Sequence, residues 1–133
     1  MTEAAPAIVG VVVPGDGRGR LLGFPTANLC CEDAVIPADG IYAAWVTEPE
    51  RGLRWEATAS VGTNPTFAGA RRRRLEVHLH DADLDLYGRR LVVDLVAFLR
   101  PTLQFEGADQ LVAQAVDDVR RSRQVLSMHR RAP

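Results

Sequence analysis

The stretch Gly15–Leu29 reads GDGRGRLLGFPTANL and gathers groups suited to holding an anion. Gly15, Gly17, Gly19 and Gly23 fall within nine residues, which lets the backbone approach a ligand and turn its N–H groups toward it. Arg18 and Arg20 add positive charge, and Asp16 stands between two of the glycines. Pro25 then fixes the local backbone ahead of Thr26 and Asn28. If that segment is extended, the Thr26 hydroxyl and the Asn28 carboxamide project the same way. Both are hard oxygen donors, suited to Mg²⁺ and to hydrogen bonding with phosphate. The loop is not a dinucleotide fingerprint, because GxGxxG needs glycine where Arg20 stands. By composition alone it could equally be a flexible hairpin.

Glu76 is the second group of interest. It sits in the alternating run Leu75–His80, where Leu75, Val77 and Leu79 face one way and Glu76, His78 and His80 the other. A carboxylate there is either part of a solvated face or a general base for an attacking hydroxyl. His78 and His80 beside Glu76 also allow a zinc reading, but no third strong partner is placed by spacing. Arg71–Arg74 is a charge run, read as a solvated hairpin turn from which one guanidinium could reach a phosphate. Trp45, Trp55, Phe67, Tyr87, Phe98 and Phe105 are core candidates, and some would wall in a planar ligand.

Composition removes several alternatives. All 16 basic residues are arginine, so a Walker A loop, a protein-kinase strand lysine and Schiff-base chemistry are excluded. A net charge of −1 argues against a general nucleic-acid binder. Cys30 and Cys31 are adjacent and no CxxC exists, which argues against a disulfide framework or a zinc knuckle. There is no apolar run long enough for a membrane span and no secretory leader, so the expected location is the cytoplasm. With 133 residues, 47% hydrophobic and 25% charged, the chain reads as one domain with its own core.

The elements that must position these groups are short strands. Ala7–Val13, Ile41–Thr47, Leu53–Val61, Leu75–His80 and Arg90–Leu99 read as strands, the last with Leu91, Val93, Leu95, Ala97 and Leu99 along one face. Glu48–Gly52 reads as a hairpin turn, Gly62–Gly69 as a loop and Asp81–Gly88 as a polar turn. After Pro101 the period becomes 3.6, with Val112, Ala115, Val116, Val119 and Arg123 on one stripe and Leu126 near its end. This predicts a helix of about 18 residues behind Gly107, with a frayed tail from Met128 to Pro133. The sum is a mainly β domain: a small antiparallel barrel with a C-terminal helix packed on it.

Taken in order, these stretches resemble the riboflavin kinase module of bacterial flavokinase/FAD synthetases. The resemblance runs from about Val9 to Arg123. It is carried by Gly15-Asp16 and Arg18-Gly19-Arg20 with Leu22–Leu29, Pro37–Ala43, Gly62–Phe67, Leu75–Leu79, Asp85–Gly88, Leu99–Pro101 with Phe105, and Leu111, Gln114 and Asp118. It implies a six-stranded Greek-key barrel with a C-terminal helix. It also implies conversion of riboflavin and ATP to FMN and ADP. Thr26 and Asn28 match the residues that bind Mg²⁺ and the ATP phosphates. Glu76 matches the base acting on the riboflavin 5′-hydroxyl, and the Gly15–Gly23 loop would close over the nucleotide. The flavin pocket is expected around Arg100, Leu103 and Phe105 and the helix start. Met1 lies a few residues ahead of the first strand, so a stand-alone module that stops at FMN is expected, and a monomer. Ser60 stands where many members have asparagine. Two other readings stay open: a non-catalytic flavin- or nucleotide-binding module, and a kinase of a modified flavin.

Overall fold

The computed structural model describes residues 7–14, 26–31, 36–65, 71–82, 85–103 and 107–129. Six strands, β1 (Ile8–Val13), β2 (Ala27–Cys30), β3 (Gly40–Glu48), β4 (Leu53–Pro65), β5 (Arg71–Leu79) and β6 (Arg90–Arg100), precede the helix α1 (Ala108–His129). The strands close into a barrel in the order β1-β2-β5-β4-β3-β6, and every neighbouring pair is antiparallel. β3, β4 and β5 form a meander, and β6 returns to lie beside β3, which is the Greek-key arrangement.

Alternation fills the interior. Ile8, Val12, Leu29, Val46, Ala57, Ala59, Val61, Leu75, Val77, Leu91 and Val93 form one apolar cluster inside the barrel. A smaller cluster, Ile41, Ala43, Leu99 and Leu126 with Trp45, Val96 and Val125 packed against it, joins α1 to the outside of the wall. The residues of β3 and β6 therefore serve two cores, one within the barrel and one under the helix.

Several expected boundaries move. Gly62–Pro65 is not a loop: β4 runs through Pro65, and Arg71–Arg74 pairs with it as the start of β5 rather than forming a hairpin turn. The long arms are stabilised by ladder pairing, which outweighs the turn preference of the Asn-Pro and arginine-rich segments. Strand β6 does not keep one face inward. Its register against β3 shifts between Ile41 and Tyr42 and between Ala43 and Ala44, leaving Val96 and Leu99 as extra residues. Each bulge reverses the alternation, so Leu95 stays with the interior while Leu99 packs under the helix.

The helix covers 22 residues and includes Met128. Its buried positions include Asp118, Ser122 and Leu126, whereas Val116 is 55% exposed and Arg123 points to solvent. The apolar stripe read from the sequence is thus rotated away from the true contact face, because two of the deepest positions are polar. Tyr87 and Phe98 are also exposed, at 61% and 54%, and are not core residues.

Candidate active site

The site residues fall on the outside of the barrel wall. Ala27 and Leu29 of β2 face the interior cluster, which turns Asn28 outward. By the same parity Leu75 and Val77 face in and Glu76 faces out. Asn28 is the direct cross-strand partner of Glu76. On its other side Glu76 is paired with Ser60 of β4. The register continues from Ser60 to Ile41 of β3 and from Ile41 to Arg100 of β6. Asn28, Glu76, Ser60, Ile41 and Arg100 therefore make one transverse row. At about 4.8 Å per strand, Glu76 and Arg100 stand roughly 14 Å apart along the wall.

Asn28 is 9% exposed, and its side-chain oxygen is buried without a hydrogen-bond partner. A buried carbonyl oxygen left unpaired costs stability unless something outside the chain satisfies it. That oxygen is a hard donor and suits Mg²⁺. Thr26 stands exposed just ahead of β2, two residues before Asn28. The residues present therefore fit a magnesium ion. No group of three or more His, Cys, Asp or Glu side chains comes together for a metal among the described residues.

Beside this row lies a buried polar chain that sequence reasoning did not find. Asp81 takes φ 58°, a left-handed turn that aspartate tolerates, and it follows His80 at the end of β5. His80 is 6% exposed; its Nε2 lies 2.8 Å from Thr58 Oγ1, which lies 2.8 Å from Ser122 Oγ of the helix. Burial pushes the His80 imidazole down from 6.5 to about 4, with the charges of His78 and Arg123 adding and Asp81 opposing. Arg123 reaches Asp81 at 2.7 Å on the surface side. The signal available in sequence was a polar residue every fourth position of the helix, Asp118 and Ser122 in line with Leu126.

Two further charged knots hold the frame. Glu48 is fully buried where the β3–β4 hairpin meets the segment before β6, bonded to Arg51 and Arg89. Burial disfavours its charge, but hydrogen bonds from Arg89 and Arg51 and their positive charges outweigh that and hold the carboxyl below its usual range. Arg100 meets both oxygens of Asp118, at 2.8 and 2.7 Å. Of the residues expected at the flavin, Arg100 is mostly buried and Leu103 is 47% exposed, while Phe105 lies outside the described residues. Gly15, Asp16, Gly17, Arg18, Gly19, Arg20, Gly23 and Pro25 also lie outside them.

A closed six-stranded Greek-key barrel with one C-terminal helix, carrying an amide and a carboxylate side by side on its outer wall, defines a fold that comparison can now place. The riboflavin kinase family model, Flavokinase, matches residues 3–126. The chain belongs to the riboflavin kinase family. It is 44% identical over 116 residues to the bifunctional riboflavin kinase/FMN adenylyltransferase of Escherichia coli (strain K12), covering 84% of this chain and 35% of that protein. The chain thus spans about a third of the length of the curated relatives it matches. Among solved structures, a Streptococcus pneumoniae protein described as a macrolide-efflux protein aligns with a TM-score of 0.79 at 39% identity, over 88% of this chain and 38% of its own. Riboflavin kinase from Trypanosoma brucei aligns with a TM-score of 0.64 at 22% identity, over 91% of this chain and 79% of its own, which shows the shared fold. Among the described residues no helix is long and apolar enough to cross a membrane.

Proposed function

We propose that this chain transfers the γ-phosphoryl group of ATP to the 5′-hydroxyl of riboflavin, giving FMN and ADP. The observation that carries the reading is the direct pairing of Asn28 with Glu76 on the outer wall of a riboflavin kinase family barrel. Glu76 takes the proton of the 5′-hydroxyl as its oxygen bonds to the γ-phosphorus. The bond from that phosphorus to the bridging oxygen breaks, and its electron pair leaves on ADP. The reaction needs positioning and charge neutralisation more than covalent help from the protein.

Thr26 and Asn28 hold Mg²⁺, which when bound neutralises phosphate charge. The unpaired Asn28 oxygen supports that role. The Gly15–Gly23 loop, with Asp16, Arg18 and Arg20, closes over the nucleotide ahead of Pro25. Its backbone N–H groups and guanidiniums stand in for the lysine the chain lacks. The flavin has its alcohol end at Glu76, and its ring is held by Arg100, Leu103 and Phe105. The protein acts in the cytoplasm as a monomer.

The test is release of ADP from Mg-ATP with and without riboflavin. Riboflavin-dependent release is expected, and its absence would reduce the chain to a binding module. Glu76→Gln should lower turnover by at least about 100-fold, the range of a lost general base, while nucleotide binding persists. Unchanged turnover in that variant removes Glu76 from the chemistry.

A further inference from the structure

We infer that Asp118 is a positioning residue for the flavin, acting through Arg100 on the segment that leaves the barrel. The inference rests on the reading above that the flavin ring lies against this segment. Strand β6 ends at Arg100, and Pro101–Leu103 leads away from it toward the helix. The Arg100 guanidinium is held in a fork: Nε donates to Asp118 Oδ1 at 2.8 Å and Nη2 to Oδ2 at 2.7 Å. Its remaining nitrogen, Nη1, turns back and donates to the carbonyl of Pro101 at 2.9 Å. Gln114, one helical turn earlier, donates to Asp118 Oδ1 at 3.1 Å. Arg121 donates to the carbonyl of Leu99 at 3.0 Å. The end of β6 and the first residue of the connector are thus anchored from the middle of α1.

A pair this buried, with side-chain exposures of 12% and 7%, is a poor means of gaining stability. An apolar pair at the same place would hold the helix as well. What the fork adds is direction, since a planar guanidinium bound at three nitrogens cannot rotate. That direction is passed to the Pro101 carbonyl, two residues before Leu103, a large apolar side chain that is 47% exposed. An exposed leucine two residues beyond an anchored carbonyl can serve as a wall for a flat apolar ring.

Steady-state kinetics on Asp118→Asn, with melting curves alongside, tests this. The expected result is a rise of about tenfold in the riboflavin KM, the scale of one lost hydrogen bond to a charged group. The kcat and the ATP KM should stay within about twofold, since only one substrate is affected. Arg100→Lys should behave like Asp118→Asn, because an ammonium keeps the charge but not the fork. Gln114→Ala, a change on a half-buried helix face that should not impair folding, should raise the riboflavin KM about two- to threefold on the same scale; if Asp118→Asn fails to fold, this variant decides. An unchanged riboflavin KM, or equal changes in kcat and both KM values, overturns the inference. Riboflavin fluorescence titration of Leu103→Ser separates the two levels. Weaker binding there with an unchanged Asp118→Asn overturns the positioning role and leaves the flavin reading standing. Unchanged binding in Leu103→Ser overturns the flavin placement and the inference with it.

Discussion

His80 makes the folded protein sensitive to mild acid in a way that can be isolated. Its imidazole sits at about 4 in the folded state against an ordinary 6.5, with burial as the main cause. The folded chain therefore resists a proton that the unfolded chain accepts, so the stabilisation is complete above about pH 6.5 and is lost as the pH falls toward 4. Between about pH 7 and pH 5 the loss is about 1–2 kcal/mol after allowance for partial solvent screening. Glu48 does not intrude, because its carboxyl is held below its usual range and titrates under this window. His80→Gln keeps a partner for Thr58 and removes the titration. Urea unfolding of both proteins at about pH 7 and pH 5 should show the native chain losing about 1–2 kcal/mol more than the variant, roughly 0.5–1 M in midpoint. Equal losses in the two proteins would refute the argument that proton exclusion at His80 contributes to folding. A pH-dependent difference of opposite sign would refute it as well.

Three other expectations follow from the geometry. Asn28→Ala removes the unpaired buried oxygen, so the Mg²⁺ concentration for half-maximal ADP release should rise at least about tenfold while stability changes by less than about 1 kcal/mol; an unchanged Mg²⁺ curve would take Asn28 out of the metal site. Gly40→Ala should cost about 1–3 kcal/mol in urea unfolding, since Gly40 has φ 153° and a Cβ there would lie 2.3 Å from Phe98 Cε2 and 3.0 Å from the Arg100 carbonyl. Adding Phe98→Ala should recover only part, because the carbonyl contact remains. Leu126→Ala should cost about 2–5 kcal/mol by opening a cavity under the helix, and a smaller loss would mean that α1 settles into the gap.

The inward strand faces were legible because one side of each strand is buried, and burial writes itself into sequence as alternation. Leu75, Val77 and Leu79 announced both a strand and the outward direction of Glu76. The pairing of Glu76 with Asn28 was not legible, since residues nearly fifty positions apart meet only through barrel closure. The bulges at Val96 and Leu99 leave no mark in hydrophobicity, as both residues remain apolar and merely change sides. On the helix the failure was the reverse. Asp118 and Ser122 occupy buried positions because Arg100 and Thr58 await them, so apolar periodicity points to Val116 instead.

Because the barrel is closed, β5 has a neighbour on both sides and no freedom to slide alone. A one-residue slip would turn Glu76 into the interior and expel Leu75 and Val77 to solvent. The chain cannot form a sealed hydrophobic interior in the wrong register and still present a carboxylate beside Asn28. Closure of the barrel and assembly of the Asn28–Glu76 pair are thus a single event. A misfolded population should be inert from the outset rather than weakly active, and the specific activity of refolded protein should count closed barrels.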